Sequence, residues 1–421
     1  MPKPSFLTSF LLLLVLSAHA AHGAQTIRMT GVAPAGMESY DRIIPDLMMR
    51  WHNPGGAVAV ARGGRLVFAR GYGLADTARN LAVEPDSLFR VGSVSKPITA
   101  VAVLQLFANK KRSLDDRAFD ILDDLKPLAG KTADRLIKNV TVRDLLQHSG
   151  GWDLDATFDP MFRSKADWKA AGVVPPPICK TVIRYMLGQP LDFTPGTTAA
   201  YSNFGYCVLG RIIEKVSGMS YESYVKTRVL ARMGITHMRL ARTLPKDSVP
   251  GEEVHYYDTP QGRLVNSVFP SVKFKVPPPY GGFYIEAMDA TAGWLGSAVD
   301  LVRFANSLDG GKSSAFLTRA QASEMVRRPN LGIWRNREPY LALGWWVRPM
   351  GSGANWWHAG TLDGSAAFLV HIAKDDVIMA ALFNSLPKNA DAFIDDLDRA
   401  LGQALAQVTE WPTRDLFPQY K

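Results

Sequence analysis

The sequence predicts an α/β fold in which an antiparallel sheet, built from both ends of the chain and flanked by helices, carries an inserted helical, loop-rich lobe. Three observations carry this reading. Short apolar runs at residues 57–61 and 66–69 flank Arg62-Gly63-Gly64-Arg65, the pattern of a β-hairpin. A second pair of apolar runs, 365–373 and 377–383, flanks Lys374-Asp375-Asp376 near the other end. The chain between them reads as helices and long loops rich in proline, glycine and aromatic residues.

Residues 1–24 stand outside this plan. Lys3 is their only charge, residues 10–16 form an apolar stretch rich in leucine, and Ala18-His19-Ala20 offers the small-x-small pattern that signal peptidase reads. The stretch is shorter than the roughly 20 residues a membrane span needs. It therefore reads as an export signal cleaved near residues 20–24, with a membrane anchor as the alternative. Export would place the mature protein in the periplasm or outside the cell, with no stable membrane insertion. Residues 25–421 then read as one domain, its α/β lobe from about 40–110 and 290–410 and its inserted lobe from about 111–289.

After the first hairpin, an almost wholly apolar segment follows Ser93-Val94-Ser95-Lys96 and predicts a helix buried on all sides. Pro97 fits only in the first turn of that helix, where a missing N–H is tolerated. Residues 140–147 read as a helix behind Thr141, and 206–216 as a helix stopped by Gly218. Loops as long as 153–200 and 243–290 tend to cover functional sites. At the end of the chain Phe393, Ile394, Leu397, Leu401, Leu405 and Val408 recur at helical spacing.

Composition narrows the function classes. With 47% hydrophobic and 21% charged residues in 421, the chain can bury a large core. The net charge of +9 falls to +8 once Lys3 is removed, and basic residues are dispersed, with no run beyond Lys110-Lys111-Arg112. A solvated surface explains that better than nucleic-acid binding. The eight histidines include no His-Glu-x-x-His pattern, so no metal site is implied. Cys179 and Cys207 are compatible with a disulfide in an oxidising compartment and equally with two buried thiols. No Gly-x-Ser-x-Gly nucleophile elbow is present, and Gly310-Gly311-Lys312-Ser313 lacks the first glycine of a phosphate-binding loop.

The chemistry-bearing residues begin with Ser93 and Lys96. On a helix, positions i and i+3 share a face. An ammonium buried behind Ser93 would lose hydration and proton affinity, and its amine could take the serine proton. The plainer reading makes Ser93 a helix cap and Lys96 a surface residue, and Ser223-Tyr224-Val225-Lys226 matches the pattern equally well. The apolar helix behind Lys96 favours the first pair. Tyr201-Ser202-Asn203 follows a Pro-Gly turn, on a connection from which both side chains can point into a cleft. There a tyrosine can pass a proton if a nearby cation lowers its pKa, and an asparagine can hold the lysine and a substrate carbonyl. Trp357-His358-Ala359-Gly360-Thr361 precedes the last hairpin, and its small residues let a substrate lie close while N–H groups face an oxyanion. His148-Ser149-Gly150 has the same form but precedes Tyr201 in the chain.

In this order and rough spacing, Ser93-Lys96, Tyr201-Asn203 and His358-Gly360 resemble the three active-site motifs of serine β-lactamases and penicillin-binding proteins. The similarity is greatest to the class C-like branch, which includes D,D-carboxypeptidases, D-aminopeptidases and esterases. Flanking segments around Gly71-Tyr72-Gly73, Phe89-Arg90, Gln147-His148-Ser149-Gly150-Gly151 and Gly293-Trp294-Leu295-Gly296 are similar too, so the resemblance spans roughly residues 40–400. It implies a β-lactamase-like fold, Ser93 as acylated nucleophile, and proton transfer shared by Lys96 and Tyr201. Asn203 would orient substrate and lysine, with His358 and Gly360 beside the substrate and an oxyanion hole from the N–H groups of Ser93 and Thr361. It implies no cofactor.

One departure bears on specificity. Where β-lactamases usually carry lysine and threonine in the third motif, this chain has His358 and Ala359. A neutral imidazole and a methyl group are poor partners for a substrate carboxylate, and protonating His358 would restore a cation as pH falls. The expectation is an esterase or peptidase acting on a small-molecule or peptide substrate. The alternatives are a weak β-lactamase, and a catalytically inactive binding or sensing protein on the same fold.

Overall fold

The computed structural model describes residues 27–247, 251–258, 262–308, 316–351 and 353–420. The expected export signal and Gly310-Gly311-Lys312-Ser313 lie outside the described residues. Strands β1 (Met29–Val32), β2 (Gly55–Arg62), β3 (Arg65–Asp76), β4 (Tyr340–Leu341), β5 (Trp346–Met350), β6 (Gly353–Leu362), β7 (Ser365–Ile372) and β8 (Val377–Phe383) make one antiparallel sheet. Their order is β1-β3-β2-β8-β7-β6-β5-β4. The two predicted hairpins are β2–β3 and β7–β8, and they join edge to edge, with Gly56 opposite Phe383 and Arg62 opposite Val377. Gly63 and Gly64 turn the first hairpin at φ of 56° and 83°, the left-handed region that a two-residue hairpin turn requires.

The helices that position the site are α1 (Glu38–Trp51), α2 (Ser95–Asn109), α3 (Val142–Leu146), α4 (Cys179–Leu187), α5 (Asn203–Ser217), α6 (Asp289–Ala292), α7 (Ala298–Asn306) and α8 (Ala390–Ala406). Period-2 alternation sorts them onto two faces of the sheet. Val58, Val60, Phe368, Met379 and Phe383 meet Tyr40, Ile44 and Leu47 of α1 and Phe393, Leu397 and Leu401 of α8. The opposite face presents small residues, Ala57, Ala59, Ala61, Ala367 and Ala380, which let α7 and the rest of the main core approach. Each large apolar side chain buried this way stabilises the fold by about 1.5–3 kcal/mol. Among the described residues no helix is long and apolar enough to cross a membrane.

Between residues 111 and 289 the described residues contribute helices, loops and two-residue strands only. Helix α3 is shorter than the predicted 140–147. Thr141 and Asp144 cap it reciprocally, and the chain leaves it through His148 at φ 58°. Helix α5 begins earlier than the predicted 206, because the Ser202 side chain accepts the Gly205 N–H and so starts the helix one turn ahead of the apolar repeat. Gly218 ends it in the left-handed conformation, as expected. Cys179 and Cys207, both buried, form a disulfide tying α4 to α5.

Candidate active site

Every residue from Val91 to Phe107 is buried except Ser93, which is half-buried. A tight turn, Gly92–Val94, produces this exception, and Gly92 takes φ 52° there. Helix α2 then runs back through the core with no polar face, so Lys96, one turn on, is fully buried. Its Nζ lies 3.0 Å from Ser93 Oγ, 2.7 Å from Asn203 Oδ1 and 3.2 Å from the Thr291 carbonyl oxygen. Burial pulls the Lys96 ammonium down to about 7, against a smaller upward pull from Asp159. As an ammonium it donates to all three partners. As an amine it carries one lone pair, and of the three neighbours only the Ser93 hydroxyl has a proton to give.

Tyr201 stands on the connection before α5, with Lys96 Nζ 4.7 Å from its ring centre. Asn203, expected on the same connection, is instead the first residue of α5. The sequence makes proton passing by Tyr201 conditional on a nearby cation that lowers its pKa. Burial raises it above the usual phenol value, opposed in part by a hydrogen bond with Ser93. Tyr201 is therefore a phenol at neutral pH, equipped to relay or donate a proton and not to act as a phenolate base.

His148 takes a different part from the one its motif-like surroundings imply. Its ring stacks on Tyr201 with centroids 4.6 Å apart, its Nδ1 accepts the Ser202 N–H at 2.9 Å, and its carbonyl accepts the Ala200 N–H. Burial, with Lys96 and His358 nearby, holds it neutral by pushing its pKa well below the usual histidine value. It thus clamps the Tyr201 connection from behind.

Strand β6 closes the other side. Gly360 packs directly on the Ser93 turn: a Cβ there would stand 2.0 Å from the Val91 carbonyl oxygen and 2.9 Å from the Ser93 nitrogen. Only glycine lets the backbone of Thr361 approach Ser93 this closely. His358 is 2% exposed, and burial together with Lys96 lowers its pKa to about 3. Its Nδ1 lies 2.6 Å from the Ala359 carbonyl oxygen, an acceptor only, so the proton sits on Nδ1 and Nε2 is a bare lone pair. The expectation that His358 becomes a cation as pH falls is thereby corrected: burial keeps it neutral throughout the range in which the protein is handled.

Ser93, Tyr201, Asn203, His358, Ala359 and Thr361 line one cleft of about 470 Å³, together with Phe162, Trp346, Asp391 and Asp395. The two aspartates come from α8, are exposed, and add two carboxylates to the cleft lining. Ser223, the rival serine, lies at a helix start, its N–H donating to Ser220 Oγ. Among the described residues no group of three or more His, Cys, Asp or Glu is placed to hold a metal ion. Sequence reasoning missed three contributors: Thr291, His148 as a support, and Asp159, whose carboxylate accepts the Asn203 Nδ2 at 2.6 Å.

A model of the family described as Beta-lactamase matches residues 40–404. Penicillin-binding protein 4 of Amycolatopsis lactamdurans is 29% identical over 367 residues, covering 85% of this chain and 87% of its own. Among solved structures, a D-amino acid amidase from Ochrobactrum anthropi SV3 complexed with D-phenylalanine superposes with a TM-score of 0.67 at 18% identity, over 89% of this chain and 99% of that one. EstCE1, described as a hydrolase with promiscuous acyltransferase activity, gives 0.67 at 20% identity, over 90% of this chain and 100% of its own. At these identities the two structures establish likeness of fold.

Proposed function

The chain belongs to the Beta-lactamase family, and from that membership and its geometry we propose a serine hydrolase that cleaves a neutral or amine-bearing ester or amide through a Ser93 acyl-enzyme. One observation carries the reading: the buried Lys96 Nζ, 3.0 Å from Ser93 Oγ, with a pKa pulled to about 7. In acylation the Lys96 amine takes the Ser93 proton as Oγ attacks the carbonyl carbon, and the carbonyl oxygen becomes an oxyanion beside the Ser93 and Thr361 N–H groups. The Tyr201 phenol gives a proton to the leaving group and is reprotonated by the Lys96 ammonium, which returns Lys96 to the amine. Water then attacks the acyl-enzyme by the reverse route, Lys96 receiving its proton and Ser93 leaving as the hydroxyl.

The substrate class follows from the charges around the cleft. His358 is neutral, Asp391 and Asp395 are acidic, and the one lysine is committed to Ser93. Among the described residues that line the cleft, a substrate carboxylate finds no fixed cation, which favours esterase or amidase activity over β-lactam hydrolysis. The fold-level likeness to a D-amino acid amidase and to EstCE1 is consistent with this. Export is part of the same proposal, supported by the leader-like residues 1–24 and by a disulfide suited to an oxidising compartment. A screen at pH 7 against p-nitrophenyl butyrate, D-phenylalanine p-nitroanilide and the chromogenic cephalosporin nitrocefin tests the substrate class. The expected order places the ester or the anilide ahead of nitrocefin by at least tenfold in kcat/KM, and nitrocefin in first place would overturn it.

A further inference from the structure

Residues 153–200, a stretch to which the sequence assigns no chemistry, deliver one carboxylate to the rear of the site. Asp159 caps the short turn Pro160–Phe162, its Oδ1 accepting the Met161 N–H at 2.9 Å. Its other oxygen, Oδ2, accepts from Asn203 Nδ2 at 2.6 Å. Asn203 Oδ1 in turn accepts from Lys96 Nζ at 2.7 Å, and Nζ reaches Ser93 Oγ at 3.0 Å. The two ends of an asparagine amide have nearly the same shape and opposite chemistry, one a donor and the other an acceptor. A carboxylate only accepts. With Asp159 behind it, the amide has one satisfactory orientation, NH2 toward Asp159 and oxygen toward Lys96.

We propose that Asp159 is a positioning residue: its carboxylate fixes the orientation of the Asn203 amide and, through it, holds Lys96 Nζ on Ser93 Oγ. The inference rests on the proposed roles of Ser93 and Lys96. Take the carboxylate away and the amide is free to turn, presenting a donor to a lysine that has only protons to offer when charged. The charge of Asp159 also acts through space. The groups that face Lys96 are His148, His358, Tyr201, Tyr206 and Asp159. Burial holds both histidines neutral and both phenols protonated, so Asp159 is the carboxylate whose charge supports the ammonium. Around Asp159 itself stand Asn203, Lys96 and Tyr201, while Arg163, four residues on, is turned to the Tyr185 hydroxyl.

The sign follows. Asp159 raises the Lys96 pKa, so its neutralisation lowers it, and the acidic limb of kcat/KM, set by loss of the Lys96 proton, moves to lower pH. The test is the pH profile of p-nitrophenyl butyrate hydrolysis, a neutral substrate, for Asp159→Asn and Asp159→Glu, with thermal melts to verify folding. Asp159→Asn keeps an acceptor for the Met161 cap but offers Asn203 an NH2. Its limb is expected about 0.5 pH unit or more below wild type, with a plateau at least about tenfold lower. Asp159→Glu, which keeps the charge, should hold the limb at the wild-type position. If the asparagine variant does not fold, Asp159→Ser removes the charge while its hydroxyl still caps, and carries the same expectation for the limb. An unmoved limb, or a plateau as high as wild type, in a folded, uncharged variant overturns the proposal. Ser93→Ala run alongside separates the two possible failures: turnover persisting in it breaks the hydrolase reading, whereas an unmoved limb with an inert Ser93→Ala breaks only the role of Asp159.

Discussion

The neutrality of His358 makes a prediction that an ordinary surface histidine would not. Let pH fall from 8 to 5 while nitrocefin, which carries a carboxylate, and p-nitrophenyl butyrate, which carries none, are compared on the same protein. A histidine near its usual pKa of about 6.5 goes from about 3% to about 97% protonated over that span. A charge-assisted contact to the carboxylate is worth about 1.5–3 kcal/mol, or roughly 10–100-fold in binding. An ordinary histidine would therefore raise the nitrocefin-to-ester ratio by an order of magnitude or more. His358, buried and lowered to about 3, is only about 1% protonated at pH 5. Even a 100-fold benefit weighted by that fraction changes the ratio by at most about twofold. Both substrates depend on the same Lys96 base, so its titration divides out. The assay is kcat/KM for both substrates at half-unit steps from pH 5 to 8. A ratio that climbs tenfold toward pH 5 would show that His358 titrates in the accessible range and that its burial has been misjudged.

Other perturbations follow from the same geometry. Lys96→Ala and Tyr201→Phe should each lower kcat/KM by roughly 10²–10⁴-fold while remaining folded by circular dichroism; near-wild-type turnover in a folded Lys96→Ala protein would point to a different base. Gly360→Ala drives a methyl group to 2.0 Å from the Val91 carbonyl oxygen and 2.9 Å from the Ser93 nitrogen, so β6 must move off the Ser93 turn; an esterase assay should show at least about a 100-fold loss, the scale of losing an oxyanion donor, and unchanged turnover would mean that this approach is not needed. Replacing Cys179 and Cys207 together by Ala opens a loop with a sequence separation of 28, worth about 3.6 kcal/mol in chain entropy; urea unfolding should report a loss of about that size, and a change below about 1 kcal/mol would show that the bridge does not stabilise the protein.

The parts of the fold written in local patterns were legible in the sequence. Short apolar runs around a glycine pair and an Asp-rich turn gave the two hairpins, and the almost wholly apolar segment after Ser93 gave the buried helix α2. Sheet-forming runs at both ends pointed to one sheet built from both, but the pairing of β2 with β8 has no local signature and comes from the structure. The Ser93 and Lys96 pair stood out because a charge inside an apolar helix is costly and calls for a purpose, and because Tyr201-Asn203 and His358-Gly360 follow it in order. What escaped had no local signature. Asp159 precedes a proline in a loop, a common way to start a turn, and its distance of 44 residues from Asn203 hides the contact. His148 looked like a misplaced copy of the third motif, and only packing shows its ring laid against Tyr201. The pKa values of Tyr201 and His358 depend on burial by distant segments, so their directions could not be read from the residues beside them. Asn203 was displaced onto a helix by the Ser202 cap, a reminder that periodicity finds the middle of a helix and capping finds its start.

The central claim is that Ser93 is acylated, and the most direct measurement is intact-protein and peptide mass spectrometry after treatment with a fluorophosphonate. The account predicts a single adduct on the peptide containing Ser93, lost in Ser93→Ala, retained in Ser223→Ala and formed faster as pH rises through about 7, where Lys96 gives up its proton. An adduct that survives Ser93→Ala and maps to another residue would contradict it.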